Sequence, residues 1–266
     1  MIDRGKMNLL GILINAIDYE AAVAEIMAAA REGHGFAVSA LAVHGVMTGV
    51  FNPQHRYRLN CLDLVTPDGQ PVRWAMNLLH HAGLADRVYG PTLALKVMEA
   101  CGREGTPIYL YGTTNALLTE LRKALAARIP DLQIAGSKPS RFRPISEEER
   151  GEVALRIRAS GAKITFVGIG CPRQEIWAYE FRNLLSMPVL AVGAAFPFIA
   201  GSLSQAPKWM QSRGLEWLFR LAAEPRRLWK RYILLNPLYL AMVGLQVCGK
   251  QFSQQGIPPD PGPIPG

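Results

Sequence analysis

Residues 164–177 have the sequence ITFVGIGCPRQEIW. The apolar run 164–167 predicts a short buried strand, and the spacing of apolar residues over 173–185 predicts a helix. Gly168, Gly170 and Pro172 lie between the two, which is the order of a strand, a glycine turn and a helix that begins at a proline. Such a unit brings its turn to the carboxyl end of a parallel strand, where open α/β sheets bind their ligands.

The same alternation of strand and helix extends over residues 1–205. It predicts an α/β fold with a Rossmann-like, mostly parallel sheet and helices on both faces. The predicted strands are 9–17, 36–41, 63–66, 108–111, 164–167 and 189–192, and the predicted helices are 19–31, 72–81, 93–103, 116–128, 147–160 and 173–185. No GxGxxG or GxxxxGKS/T motif occurs, which argues against a dinucleotide-dependent oxidoreductase and a P-loop enzyme.

Two predicted turns have a glycine directly after a strand. These are Gly112 in the sequence YGTTN and Gly170 in the sequence GIGCP. Backbone amides after such a glycine approach a phosphate at the N-terminus of the next helix. Similar turns also occur simply to start a helix. The pattern leaves both interpretations open, phosphate binding and helix initiation.

The composition excludes other classes of protein. The chain has 266 residues, 49% of them hydrophobic, and can bury a large core. Its four cysteines are scattered without a CxxC spacing, and its five histidines show no metal-ligand spacing. We therefore expect free thiols in a reducing cytoplasm, with neither a disulfide framework nor a metal site.

Positive charge is concentrated near the end of the chain. Of the formal net charge of +8, residues 207–250 carry +6, from eight basic and two acidic residues. Tryptophans and leucines are interleaved with these basic residues, and the apolar run 232–248 follows, broken by Asn236-Pro237. The run is shorter than the roughly 20 residues of a membrane-spanning helix.

Residues 206–254 are therefore predicted to be a basic, amphipathic helical appendage that lies on an anionic membrane surface. The alternative is an ordinary pair of helices packed on the core, with its arginines in solvent. Nucleic acid is a weaker candidate, because it has no use for a long apolar run. The last segment, 255–266 (QGIPPDPGPIPG), is rich in proline and glycine and is predicted to be disordered.

Two residues are the strongest candidates for chemistry. Asp68 lies in a Pro-Asp-Gly turn after strand 63–66, where a carboxylate can act as a general base, although Asp-Gly is also ordinary turn chemistry. Arg87 lies in the sequence DRVYGPT, ahead of a helix, and could stabilise a diphosphate leaving group. Its alternative role is a structural ion pair with Asp86.

Polar residues on the first turn of helix 173–185 are also candidates. Gln174 and Glu175 are predicted to face the mouth of the site, where they could hydrogen-bond a sugar or a base. The alternative for Glu175 is the preference of carboxylates for helix N-termini. His44, near the end of the second strand, is interpreted as satisfied or solvent-facing and not as a metal ligand.

Four segments occur in one order that resembles a known family. They are TPDG at 66–69, DRVYG at 86–90, GIGCPRQE at 168–175 and LEWLFRL at 215–221. Together they are similar to the WecG/TagA/CpsF glycosyltransferases, family 26, over roughly residues 8–240. The resemblance implies an inverting enzyme without a bound metal or other cofactor. It also implies a UDP-sugar donor, often UDP-N-acetylmannosamine or its uronic acid, and an undecaprenyl-diphosphate-linked sugar acceptor.

The resemblance also assigns roles to residues. Asp68 matches the proposed base of the family, Arg87 matches its arginine before Val-x-Gly, and Gln174 matches the glutamine of its Pro-x-Gln-Glu motif. The family's appendage docks on the membrane and brings arginines to the active site. The predicted catalytic residues are Asp68 and Arg87, and the predicted substrate-binding residues are Ser39, Gly69, Gly112, Gly170, Gln174, Glu175, Arg220, Arg227 and Arg231.

One motif of the family is altered. Relatives carry Thr-x-Asn after the second strand, whereas residues 39–44 of this chain have the sequence SALAVH. Ser39 is the candidate replacement for the threonine, and no asparagine follows it. The donor sugar therefore need not be N-acetylmannosamine, and glucose or another hexose is an alternative.

The expected protein is a cytoplasmic glycosyltransferase, peripheral on the inner face of the plasma membrane. Its expected partners are a UDP-sugar, a polyprenyl-diphosphate-linked glycan and an anionic membrane surface, without nucleic acid; a homo-oligomer is possible. Two other classes stay open: a non-catalytic component of a polysaccharide assembly complex, and a nucleotide-sugar-modifying enzyme. The second usually needs the glycine-rich NAD fingerprint that this chain lacks.

Overall fold

The computed structural model describes the backbone of residues 1–266 and every side chain except those of Arg227, Lys230 and Arg231. In chain order the elements are β1 (Asp3–Leu9), β2 (Ile12–Ile17), α1 (Tyr19–Glu32), β3 (Phe36–Leu41), α2 (Val43–Phe51), α3 (Pro53–Asn60), β4 (Leu64–Pro67), α4 (Gln70–His80), α5 (Gly90–Glu104), β5 (Ile108–Gly112), α6 (Asn115–Arg128), β6 (Ile134–Lys138), β7 (Pro144–Ile145), α7 (Glu147–Ala159), β8 (Ile164–Gly168), α8 (Arg173–Leu185), β9 (Pro188–Ala191), α9 (Ala195–Ile199), α10 (Lys208–Ser212), α11 (Glu216–Ala223), α12 (Pro225–Val247) and β10 (Ile264–Pro265).

Six strands form one sheet in the order β4-β3-β9-β8-β5-β6, and every neighbouring pair is parallel. Parallel neighbours require crossover connections, which helices provide here. The predicted α/β fold, with a parallel sheet flanked by helices, is confirmed. Five of the predicted strands lie in this sheet within one residue of their predicted ends. The sixth member, β6, was not predicted, because only its first residue, Ile134, is a large apolar residue.

Both faces of the sheet are buried. Because side chains alternate along a strand, Tyr109 and Tyr111 of β5 lie on one face, and Ile108 and Leu110 lie on the other. The tyrosine face is covered by α2, α3, α4, α7, α8 and α12 together with β1 and β2, and the opposite face is covered by α1, α5, α6 and α9. Burial on both faces explains why the strands are almost continuously apolar.

An aromatic stack fixes α8 to the sheet. The ring of Trp177 stacks on Phe181, with centroids 3.8 Å apart, and on Tyr111 of β5, with centroids 4.7 Å apart. Trp177 and Phe181 lie one helical turn apart on the buried face of α8. The stack therefore fixes the position of the N-terminus of α8, and of the glycine turn before it, relative to the sheet.

The first predicted strand, 9–17, is wrong as a single strand. The structure has an antiparallel hairpin, β1 and β2, with its turn at Leu10 and Gly11. Both turn residues have positive φ, 55° and 89°, which is the geometry that two-residue hairpin turns require. The apolar character of Leu10 hid the turn, and Gln246 of α12 compensates by accepting a hydrogen bond from the Leu10 amide.

The basic appendage forms three helices, α10, α11 and α12. Asn236-Pro237, which interrupts the apolar run 232–248 in the sequence, does not interrupt the helix, because α12 continues through Pro237. The apolar residues of α12 lie on more than one side of the helix, so some of them are buried and others are exposed. Four of them pack inward (Leu228, Tyr232, Tyr239 and Val243), whereas seven are exposed (Trp229, Ile233, Leu234, Leu238, Leu240, Leu245 and Val247). Among the residues that the structure describes, no helix is both long and apolar enough to cross a bilayer.

The final segment differs from the predicted disorder of residues 255–266. The backbone amide of Ile257 donates to the Pro53 carbonyl at 3.1 Å, and the side-chain amide of Gln54 donates to the Asp260 carboxylate at 2.9 Å. Further along, Ile264 is buried and pairs with Ile145 of β7. The proline- and glycine-rich composition predicted that residues 255–266 could not bury apolar surface. The segment instead uses the surface of α3 and the edge of β7.

Trp177→Ala tests the aromatic stack. The substitution removes a fully buried ring with two stacking partners, so the free energy of unfolding should fall by about 3–5 kcal/mol. The measurement is equilibrium denaturation in urea. Leu155→Ala is the control, because Leu155 is 60% exposed on α7 and its removal should cost less than about 0.5 kcal/mol. Equal losses in the two variants would contradict the assignment.

Candidate active site

A large cleft opens at the carboxyl edge of the parallel sheet. Its volume is about 830 Å³, and it is lined by the segments that follow β3, β5, β8 and β9. A smaller side chamber of about 90 Å³ adjoins it, between the first turn of α4, α11 and the first half of α12. Five residues line both spaces and so mark their junction: Ala42, His44, Asp68, Tyr89 and Arg220.

Asp68 is held in place at this junction by two backbone contacts. Its amide donates to the Leu41 carbonyl at 3.2 Å, which ties the end of β4 to the end of β3. Its carboxylate accepts a hydrogen bond from the Gly90 amide at the N-terminus of α5, also at 3.2 Å. The carboxylate of the predicted base therefore has a fixed position between the cleft and the side chamber.

The surroundings of Asp68 make it a stronger base than an ordinary aspartate. Burial raises its pKa to about 6, and the nearby carboxylate of Glu216 acts in the same direction. The guanidinium groups of Arg87 and Arg220 and the Gly90 amide oppose this rise. A carboxylate with this pKa is ionised at neutral pH and is better matched to taking a proton there.

Arg87 is paired with a residue of the appendage. Its Nη2 lies 2.5 Å from a carboxylate oxygen of Glu216, and both side chains are buried. The same Nη2 donates to the Gln211 side chain at 3.3 Å, and the guanidinium carbon lies 4.3 Å from the centre of the Tyr89 ring. The alternative pair with Asp86 is not formed: Asp86 accepts a hydrogen bond from the Arg87 backbone amide instead. Arg87 thus lines the side chamber and joins the core to α11.

Arg220 lies one helical turn after Glu216, on the same face of α11. It lines both the cleft and the side chamber, and its guanidinium lies 5.9 Å from the Phe198 ring. Its Nε is buried and has no hydrogen-bond partner among the described residues. A buried cationic donor without a partner is suited to an anionic ligand. The other two predicted arginines, Arg227 and Arg231, have side chains outside the described part of the structure.

Ser39, Gln174 and Glu175 form a buried network beneath the cleft. The Ser39 hydroxyl donates to Glu175 at 3.2 Å, and the Gln174 side-chain amide donates to the same oxygen at 2.9 Å. Burial raises the pKa of Glu175. Ser39 is fully buried and is not among the residues that line the cleft, so its predicted contact with substrate stays a prediction. Gln174 and Glu175 line the cleft as its buried wall and not as exposed groups at its mouth.

The glycine turns differ in what they contribute. Gly170 lines the cleft, but its amide donates to the Gln174 side chain at 3.1 Å and is already occupied. Gly112 supports the turn without lining the cleft: its φ is 107°, and an added Cβ would lie 2.9 Å from the Gly168 carbonyl carbon. Thr113, the next residue, does line the cleft. Gly69 lines the side chamber, where it caps the N-terminus of α4.

Several residues of the site had no assigned role in the sequence. Glu216 is one of only two acidic residues in the basic segment 207–250, and its partner Arg87 lies 129 positions away. Tyr89, Trp217 and Tyr232 line the side chamber. The segments DRVYG and LEWLFRL contain three of these residues, Tyr89, Glu216 and Trp217. The family resemblance includes both segments, but no local pattern predicted a contact between them.

The fold and the cleft define an α/β enzyme with its ligand site at the carboxyl edge of a parallel sheet. A model of the glycosyl transferase WecG/TagA/CpsF family matches residues 7–252 of the chain. The chain belongs to this family and is a glycosyltransferase of cell-surface polysaccharide synthesis. The matched segment includes α10, α11 and α12, so the residues of the cleft and the side chamber lie within it.

Asp68→Asn tests the environment of the carboxylate through stability. The pKa of Asp68 is about 6 in the folded protein and near 3.8 in its ordinary state, so the folded protein binds the proton more tightly. Stability contributed by this group therefore falls as pH rises from about 4 to about 6. The uncharged Asn should raise the free energy of unfolding at pH 7 by on the order of 1–3 kcal/mol and change it little at pH 4. Urea denaturation at both pH values measures the difference, and an equal effect at both would contradict the assignment.

Proposed function

We propose that this protein is an inverting glycosyltransferase with a UDP-sugar donor and a polyprenyl-diphosphate-linked glycan acceptor. The transferred group is a hexose or an N-acetylhexosamine, with N-acetylmannosamine among the candidates. The observation that carries the proposal is the position of Asp68. A partly buried carboxylate with a raised pKa lies where a large cleft meets a side chamber, next to a cation with a donor that has no partner among the described residues.

The large cleft is the proposed donor site. Its volume of about 830 Å³ lies within the range of about 300–1,000 Å³ that is usual for ligand pockets. The donor sugar lies at the Asp68 junction, and the nucleotide extends along the carboxyl edge of the sheet towards the segment after β5. Arg220 meets the diphosphate between these two ends.

The side chamber is the proposed entrance of the acceptor sugar. Trp217 and Tyr232 line it, and aromatic rings provide the flat apolar surfaces on which sugar rings pack. It lies between the core and α11 and α12, which carry the exposed apolar side chains. The sugar of an acceptor anchored in a membrane beneath these helices can therefore reach Asp68 while its lipid stays in the membrane.

In the proposed reaction, Asp68 takes the proton of the acceptor hydroxyl as the hydroxyl oxygen attacks the anomeric carbon of the donor. The bond between that carbon and the oxygen of the β-phosphate breaks, and its electron pair leaves with UDP. The attack comes from the face opposite the leaving group, which inverts the configuration. Negative charge develops on the diphosphate, and Arg220 stabilises it.

Arg87 has a positioning role in this proposal. Its charge is largely engaged by Glu216, and the pair fixes the face of α11 that carries Arg220. Arg227 and Arg231 are further candidates for the diphosphate, on the basis of the family resemblance alone. We propose that these arginines supply the positive charge that a metal ion supplies in other transferases, so that the reaction needs none.

The proposed location is the cytoplasmic surface of the membrane. Trp209, Leu218, Trp229 and Ile233 are each at least 45% exposed on α10, α11 and α12. Basic residues such as Lys208, Arg213 and Arg226 lie among them along the chain. Exposed tryptophan and aliphatic side chains interleaved with cations match the interface of an anionic bilayer.

The first test is acceptor-dependent release of UDP from a panel of UDP-sugars, with a polyprenyl-diphosphate-sugar acceptor in anionic vesicles. Asp68→Asn should lower kcat by about 10²–10⁴-fold, because general base catalysis is lost while the fold is kept. Asp131→Asn is the matched control, since Asp131 is exposed and does not line the cleft.

The pH dependence gives the same test a second readout. Only the ionised carboxylate accepts a proton, so kcat/KM should fall below an apparent pKa of about 6 in the native enzyme. UDP release that is unaffected by Asp68→Asn would remove Asp68 as the base. No acceptor-dependent release from any donor would favour a non-catalytic component of an assembly complex.

Arg220→Gln tests the stabilisation of the leaving group. Loss of one charged donor to the developing diphosphate should lower kcat by about 10–10³-fold. Folding should be retained, because the Nε of Arg220 has no hydrogen-bond partner to lose among the described residues. Arg103→Gln is the control, because Arg103 is exposed in the last turn of α5. An unchanged kcat in Arg220→Gln would contradict the proposed role.

A further inference from the structure

The tail after α12 crosses the protein from the appendage to the far end of the cleft. It first lies along α3, where the Arg56 guanidinium donates to the carbonyls of Ser253 and Gln255. It then reaches β7 and packs against α8. The matched family segment ends at residue 252, so this course belongs to the part of the chain beyond the match.

The end of the tail is joined to β7 by backbone pairing and by burial. Ile264 pairs with Ile145, and the side chains of both are almost fully buried in the core. The Gly266 amide donates to the Arg143 carbonyl at 3.0 Å, and the Ser140 hydroxyl donates to the Gly266 carbonyl. An added Cβ at Gly266 would collide with Ile145, so the contact is close.

The loop 139–143, between β6 and β7, connects this contact to the cleft. The Ser140 amide donates to the carbonyl of Thr113, a residue of the cleft, at 3.1 Å. The Phe142 amide donates to the Ser140 hydroxyl at 3.0 Å, so this hydroxyl bonds both the loop and the tail. Phe142 also lines the cleft.

The conformation of Phe142 indicates that contacts of other residues hold it in place. Its φ is 54°, in the left-handed region that a bulky residue avoids, and its side chain is 56% exposed. Such a conformation persists only where the surroundings fix it. The surroundings here are the Ser140 hydroxyl and, through it, the tail.

We propose that residues 264–266 brace the loop 139–143 and thereby set the position of Phe142 at the nucleoside end of the donor site. This inference rests on the proposed function. Asp68 follows β4, and Thr113 follows β5, four strands away in the sheet. At about 4.8 Å per strand, the two ends lie about 19 Å apart. With the donor sugar at Asp68, the nucleoside is at the end that carries Phe142.

The energetic consequence is an affinity that depends on the tail. If the loop adopts the binding conformation only part of the time, the apparent affinity for the nucleotide falls to that fraction of its intrinsic value. A braced loop is ordered before the ligand arrives. Loss of the brace should therefore weaken nucleotide binding, while membrane docking and the acceptor side stay the same.

Ile264→Asp in the full chain tests the brace, because a charge at this buried position opposes its pairing with Ile145. Asp260→Asn is the matched control. It weakens the contact of the tail with Gln54 on α3 and leaves the contacts at β7 intact. Two quantities are measured for native protein and both variants: UDP affinity by calorimetry, and hydrogen–deuterium exchange of residues 139–146 without ligand. Circular dichroism verifies folding.

In Ile264→Asp we expect faster exchange of the loop and UDP binding about tenfold weaker, a loss of about 1.4 kcal/mol in binding free energy. In Asp260→Asn we expect no change in either quantity. If Ile264→Asp does not fold, Ser140→Ala, which removes the hydroxyl that links loop and tail, takes its place. Unchanged loop exchange in a folded variant would overturn the brace, whatever the ligand. Faster exchange with no UDP binding by native protein would keep the brace and refute the proposed donor.

Discussion

The buried ion pair between Arg87 and Glu216 is the contact on which the site depends. It joins the core, at the segment between α4 and α5, to the first turn of α11. Removal of one partner from such a pair leaves an uncompensated buried charge, at a cost of about 3–5 kcal/mol. Because Arg220 lies one turn further along the same face, the pair also fixes where this cation meets Asp68. Because Glu216, Trp217 and Arg220 of α11 line the side chamber, the pair also holds one wall of this chamber in place.

The helices of the appendage contribute to two surfaces, the wall of the site and the exposed outer side of the protein. Their inner sides carry Arg220, Trp217 and Tyr232, which line the chambers, and their outer sides carry exposed tryptophan and aliphatic residues. In the proposed reaction the helices that meet the lipid also complete the site for the lipid-linked acceptor. Such an arrangement links catalysis to the place where the acceptor resides. It also accounts for the net charge of +6 in residues 207–250, where basic residues accompany exposed apolar ones.

The parallel sheet, its helices and the turns at its carboxyl edge could be predicted, because they follow from local periodicity and from glycines after strands. Asp68 was found in the same way, from a turn directly after a strand. Contacts between distant segments could not be predicted: the partner of Arg87 is Glu216, and the amide of Gly170 is occupied by Gln174. Ser39 matched the position of a family motif, but its hydroxyl faces Glu175 inside the wall. The hairpin turn at Leu10 and the tail pairing at Ile264 were missed, since tertiary contacts outweigh local composition at both places.

In the proposed mechanism, a single carboxylate at the junction directs one displacement at the anomeric carbon. The most direct test is the configuration of the new glycosidic bond, measured by the one-bond C1–H1 NMR coupling constant in the product formed from an α-linked UDP-sugar. Direct attack by the acceptor predicts a β-linked product, because one displacement inverts the configuration. An α-linked product would require two displacements or a different mechanism, and it would contradict the account.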